Sequence, residues 1–265
     1  MYCSTTLNYA NGLDDIRPVR VDVSDGRARP ELTWEENGFQ LYEHESTVSN
    51  WSSDEEIQQK YYGEMELFAK TLSGCDVALI GGHILRNPES AATHIDYAPI
   101  QYVHSDFTES YGDFLRSRYE RSEPGAAEAL VRAGVEASVV KEASRILVLQ
   151  FWRNVGPSVM DLPIAFCDAQ TVPKEDVFSI HVPNYADGGE PFDTFGVTYR
   201  EPSNHAWYTF PELNAGEVVA FRTYDSACVD YDQPFWTPHS AFLDPNHKEA
   251  PARYSIEVRA TCIYS

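Results

Sequence analysis

The chain has 265 residues, of which 43% are apolar and 23% charged, enough to bury the core of one large domain and too apolar for a disordered chain. Its formal net charge of −21 works against nucleic acid and anionic membrane surfaces, which both attract a basic footprint, so a small-molecule ligand fits better. No apolar run reaches the length of a membrane span and "MYCSTTLNYANGLDD" lacks the basic and apolar parts of a secretory signal, so a cytoplasmic protein is expected.

Residues 1 to 50 hold strand-like runs such as "PVRVDV" among many Asp, Asn, Pro and Gly, and are expected to form an irregular leader. Ser53-Asp54-Glu55-Glu56 matches a capping box, in which hydroxyl and carboxylate satisfy free N–H groups at a helix start. Ile57, Tyr61, Met65, Phe68 and Leu72 then recur on one helical face, and Gly74 is placed to stop the helix. "CDVALIGG" predicts a buried strand ended by its two glycines, and "TESYGDFLRSRYERS" and "GAAEALVRAGVEASVVKEASR" predict helices. From residue 145 the texture changes to "RILVLQFW", "DLPIAFCDA", "VFSIHV", "TFGVTYR", "HAWYTF", "EVVAFRTYD", "FWTPHSAF" and "ARYSIEVRATCIY". Short β-branched and aromatic runs separated by turn residues predict a β-sandwich or barrel. The expectation is one domain over 1–265, with a leader and helix (1–90) packed on a mainly β body (91–265) flanked by helices. Cys3, Cys75, Cys167, Cys228 and Cys262 are scattered without a CxxC, which predicts reduced, mostly buried thiols rather than a zinc cage.

"THIDYAPIQYVHSDFT" contains His-x-Asp twice, as His94/Asp96 and His104/Asp106. Two residues apart in an extended segment, His and Asp point to the same side. With one distant His they can offer a metal three ligands on one face and leave the opposite face open, as non-haem iron(II) oxygenases require. His104 ends a strand-like run whereas His94 follows a loop, so the second pair is favoured. His239 in "FWTPHSAF" supplies the distant ligand, with His181 and His205 as rivals. "RYS" places Arg253 and Ser255 two apart, expected on a strand adjacent to that of His239, where a guanidinium fork and a hydroxyl can clamp a carboxylate. Arg259 and Arg153 are rivals for that clamp, Arg153 having the alternative of pairing with an acid. Tyr102, Trp152, Trp207, Tyr208 and Tyr224 are candidates to line a substrate pocket, with core packing as the alternative for each. Asp225 is a candidate acceptor behind a ligand His.

The order His-x-Asp, distant His, Arg-x-Ser resembles the signature of the 2-oxoglutarate and iron(II)-dependent oxygenase superfamily. The phrases "VHSDFT", "FWRNVGPSVMDLPIAFCDA", "HAWYTFPEL", "AFRTYDS", "TPHSAF" and "RYSIEVR" resemble more closely the AsaB-like hydroxylase/desaturase family of fungal natural-product pathways, which is related to cephamycin methoxylation component J. The resemblance implies a double-stranded β-helix (cupin-like jelly roll) with iron(II) held by His104, Asp106 and His239. It implies 2-oxoglutarate held by Arg253 and Ser255, O₂ as oxidant, and hydroxylation, desaturation, cyclisation or peroxidation of a small secondary metabolite. Two other readings stay open at this point: an iron oxidase that does without 2-oxoglutarate, and a non-catalytic subunit that presents substrate to a partner enzyme. Homodimer or partner enzyme stays open as well.

Overall fold

The aromatic and β-branched runs of the sequence become strands. The structure, a computed structural model, describes residues 1–11, 15–186, 190–201 and 203–265. The strands are β1 (Cys3–Ala10), β2 (Ile16–Asp25), β3 (Phe39–Glu43), β4 (Val77–Arg86), β5 (His104–Ser105), β6 (Arg145–Asn154), β7 (Ile164–Cys167), β8 (Val177–Val182), β9 (Phe192–Val197), β10 (Trp207–Thr209), β11 (Glu217–Asp225), β12 (His239–Ala241) and β13 (Ser255–Tyr264). They form an eight-stranded sheet, β1-β2-β10-β7-β12-β5-β9-β8, and a five-stranded sheet, β3-β11-β6-β13-β4. The mainly β jelly roll with flanking helices that the sequence implied is the fold observed.

Alternation along β6 and β13 gives the five-stranded sheet two distinct faces. Leu147, Leu149, Phe151, Ile256, Val258 and Ala260 bury against Ile57, Tyr61 and Met65 of the helical segments. The other face turns Trp152, Val219 and Phe221 toward Phe39 and Phe166. On that inner face Trp152 pairs with Glu257, Gln150 with Arg259 and Asn154 with Ser255. A strip of polar side chains is thereby held inside the molecule.

The helix runs through Asp54–Glu56, a π-wound Ile57–Tyr61 and Tyr62–Ser73. It stops at Gly74, which takes the left-handed φ of 68°. Half of the capping box forms: Ser53 accepts from the Glu56 N–H, but the Glu56 carboxylate turns away to the N–H groups of Ser49 and Asn50. Two expectations are corrected. The leader is not irregular, because β1 pairs with β2 along its length and β2 then takes β10 in parallel. The strand after Cys75 does not stop at Gly81-Gly82 but continues to Arg86 alongside β13. Sheet strands therefore arise on both sides of residue 90. All five cysteines are free, and four are buried. No helix among the described residues is long and apolar enough to cross a membrane.

Candidate metal centre

A single cross-strand pair creates the centre. His239 of β12 lies directly opposite His104 of β5, so both imidazoles leave the same face of the eight-stranded sheet, their ring centroids 4.4 Å apart. Asp106, two residues on from His104, follows on that side. Its Oδ1 is 3.6 Å from Nε2 of His104 and 3.6 Å from Nε2 of His239. The three side chains are buried and offer ligand atoms all within 4.8 Å of one another.

The donor set fits a divalent metal. Each imidazole donates its Nδ1–H to the carbonyl two residues earlier, His104 to Tyr102 at 2.9 Å and His239 to Thr237 at 3.0 Å. That fixes the ring and leaves the Nε2 lone pair pointing at the shared centre. Burial, with the adjacent His239, pulls the His104 pKa down to about 4, so the ring is neutral, the form in which it binds metal. Burial alone would push the Asp106 carboxyl up, but Arg259 and the two imidazoles outweigh it and hold it ionised. Arg259 bonds Oδ2 at 3.1 Å, so Oδ1 is the oxygen left facing the histidines.

These residues open onto a cavity whose walls also carry Arg86, Trp152, Arg253 and Glu257. Arg253 is buried, gives one N–H to the Leu162 carbonyl and has its guanidinium 5.5 Å from the Trp152 ring centroid. Burial and the charge of Arg86 pull its pKa down to about 9. Its Nε, the Ser255 hydroxyl and the Trp152 indole nitrogen are buried and have no partner among the described residues. Arg253 and Trp152 line the cavity, and orphaned polar groups there are candidates to meet a polar ligand, because burying such groups unpaired is costly. Arg253 and Ser255 come from the five-stranded sheet and the loop before it, facing His239 across the interior, rather than from an adjacent strand.

The other candidates lie elsewhere or do other work. Arg259, the rival clamp, is engaged by Asp106. Among the described residues Arg153 pairs with no acid; it holds the carbonyls of His44 and Ala215 and the Tyr61 hydroxyl on the outer face of its sheet. His94 caps the turn at Ile95–Tyr97 and Asp96 accepts from the Ala186 N–H. His181 pairs with Asp193 at the surface, and His205 sits between Asp176 and Tyr9. Trp207 is core, donating to the Tyr9 hydroxyl at 2.8 Å. Tyr224 packs against Tyr111 and Phe235, Tyr208 lies in the Phe39 cluster, and Asp225 binds Arg145. Tyr102 stands beside His104, ring centroids 4.9 Å apart.

Two residues of the site went unread in the sequence. Arg86 binds Glu257 at 2.9 Å and donates to the carbonyls of Asp96 and Ala98, tying a neighbouring loop to the cavity wall. Glu257 is buried, yet Arg86 and Arg259 hold its carboxyl below the usual range against the pull of burial. The signal for Glu257 was present, since Arg253, Ser255, Glu257 and Arg259 fall at every second position.

A family model described as "Oxidoreductase/YMDC permease-like domain" matches residues 5–263. Among curated proteins the chain is 26% identical over 256 residues to the alpha-ketoglutarate-dependent dioxygenase phiK of a fungal species, covering 94% of this chain and 85% of that protein. It is 25% identical to the alpha-ketoglutarate-dependent dioxygenase tstK of Talaromyces stipitatus, covering 97% and 90%. Among solved structures it superposes on the iron and alpha-ketoglutarate-dependent endoperoxidase NvfI with a TM-score of 0.78 at 20% identity, covering 98% of this chain and 97% of that one.

Proposed function

We propose, for a chain that belongs to the oxidoreductase/YMDC permease-like domain family, the activity of a non-haem iron(II), 2-oxoglutarate-dependent dioxygenase acting on a small molecule of secondary metabolism. It is an oxidoreductase, and its relatives phiK and tstK carry the same activity in their names. The observation that carries the reading is the convergence of His104, Asp106 and His239 on a cavity that also contains an arginine with no carboxylate partner among the described residues, Arg253. A metal site alone suits many reactions; a metal site facing a buried guanidinium suits a co-substrate that bears a carboxylate.

His104, Asp106 and His239 would hold iron(II), and Arg253 with Ser255 would hold the distal carboxylate of 2-oxoglutarate. Bound iron supplies the oxidation of 2-oxoglutarate by O₂ to succinate and CO₂, and with it the removal of hydrogen from a substrate C–H bond. The chain's own contribution is placement. The carbonyls of Tyr102 and Thr237 aim the imidazoles, and Arg259 holds Asp106 to one free oxygen. Ile100, Ile164 and Ala241 supply apolar wall and limit water. Tyr102, next to His104, is the aromatic candidate to meet substrate. Hydroxylation, desaturation and ring or peroxide formation differ in where the substrate C–H is held.

The test is stoichiometric. Purified protein supplied with iron(II), 2-oxoglutarate and O₂ releases succinate, and His239→Ala releases none. Substrate turnover by the wild type with no succinate formed would remove 2-oxoglutarate from the account and install the oxidase reading.

A further inference from the structure

We propose that the indole N–H of Trp152 is a third donor to the distal carboxylate of 2-oxoglutarate, beside Arg253 and Ser255; this rests on the co-substrate reading above. Trp152 belongs to β6, on the inner face of the five-stranded sheet, paired with Glu257. It is 1% exposed and lines the metal cavity. Its Nε1 has no hydrogen-bond partner among the described residues.

That orphan is unlike the equivalent groups of two other buried tryptophans. Trp207 donates to the Tyr9 hydroxyl at 2.8 Å and Trp236 to the Val172 carbonyl at 3.2 Å. Trp152 belongs to a mostly hydrocarbon cluster with Phe39, Phe166, Val219 and Phe221. Phenylalanine would serve that cluster without burying a donor. Glu257, on the paired strand, accepts from Arg86 and Gln150 and not from Trp152. The cavity that the indole lines can supply the acceptor instead.

The Arg253 guanidinium, 5.5 Å from the ring centroid, defines what that acceptor is. It rests over the electron-rich ring with its own Nε unpartnered. A carboxylate has about four lone-pair positions, more than Arg253 and the Ser255 hydroxyl need. Trp152 thus has two roles, a platform under the cation and a donor beside it. Both favour a co-substrate with a carboxylate at its far end.

The probe is 2-oxoglutarate titrated calorimetrically under argon into iron(II)-loaded wild type and Trp152→Phe, a variant that keeps an aromatic ring at the position and removes the N–H. The comparison ligand is 2-oxobutyrate, a 2-oxo acid without the distal carboxylate. Trp152→Phe is expected to weaken 2-oxoglutarate by about ten- to a hundred-fold, the range for a lost hydrogen bond to a charged group. Its Kd for 2-oxobutyrate and for iron(II) should match the wild type. Should the variant not fold, ¹⁵N-indole spectra of the zinc-loaded wild type give the same answer. One of five tryptophan signals, identified because none of the other four Trp→Phe changes removes it, moves downfield with 2-oxoglutarate and not with 2-oxobutyrate. Wild-type affinity in Trp152→Phe, or an unmoved Trp152 signal while 2-oxoglutarate is bound, overturns this inference alone. Wild-type holoenzyme that binds no 2-oxoglutarate overturns the co-substrate reading and this inference with it.

Discussion

Replacing Arg259 by Met would remove the cation on Asp106 and keep an apolar stem over Phe107, where the guanidinium now lies 5.5 Å from the ring centroid. At the observed 3.1 Å and an effective dielectric of about 20, the Asp106–Arg259 attraction is about 5 kcal/mol. Desolvation offsets part of that, and stranding one member of a buried pair costs about 3–5 kcal/mol. The Arg259 side chain keeps 29% exposure, so we expect the low end, about 3 kcal/mol, or roughly 6–12 °C in the melting midpoint of a chain this size. That loss belongs to the apoprotein. A divalent ion on Oδ1 neutralises the same carboxylate, so saturating iron(II) should restore at least half of it. The assay is thermal unfolding under argon, with and without iron(II), for wild type and Arg259→Met. An equal loss in both conditions would refute the reasoning, because Arg259 would then act through something other than the Asp106 charge.

The other predictions are briefer. His104→Ala and His239→Ala each remove one of the three proposed ligands and should abolish stoichiometric iron(II) binding by equilibrium dialysis, with retained binding in either one contradicting the site. His104, neutral in the folded apoprotein down to about pH 4, gains a proton below about 6.5 only when unfolded. The unfolded state therefore binds more protons in that window, and apoprotein stability should be full above pH 6.5 and decline toward pH 4, by at most about 1.4 kcal/mol per pH unit. Urea melts across the window check this, and a flat profile in which His104→Gln matches the wild type contradicts it. Trp207→Phe loses the bond to Tyr9 and should cost about 1 kcal/mol in the same melts, with KM for substrate unmoved; a raised KM would return Trp207 to the pocket.

What the sequence revealed of this site follows from how local each relation is. His104 and Asp106 are two residues apart in extended chain, so their common direction is a property of the strand. The order along the chain singled out His239. That it stands opposite His104 is a matter of sheet pairing between segments more than a hundred residues apart, which no spacing encodes. The same holds for Arg86 and Glu257, paired across β4 and β13. Trp152 and Trp207 look alike in sequence, each an aromatic in a strand; one lines the cavity and the other meets Tyr9. The run "PVRVDV" in the leader is strand-like, but its place in the sheet is hidden, because β2 is half exposed along most of its length and its alternation carries little apolar contrast. Arg259 lies at the right parity to face the interior, but only the folded chain shows that Asp106 occupies it.

The most direct test of an iron centre facing a carboxylate clamp is an anaerobic titration of the apoprotein with iron(II) and then 2-oxoglutarate, followed by visible absorption. The account predicts a weak metal-to-ligand charge-transfer band that saturates with one equivalent of 2-oxoglutarate. In Arg253→Ala the band should need a much higher concentration, while iron(II) affinity stays as in the wild type. Iron bound with no band at any 2-oxoglutarate concentration, or a band that Arg253→Ala leaves unchanged, would contradict it.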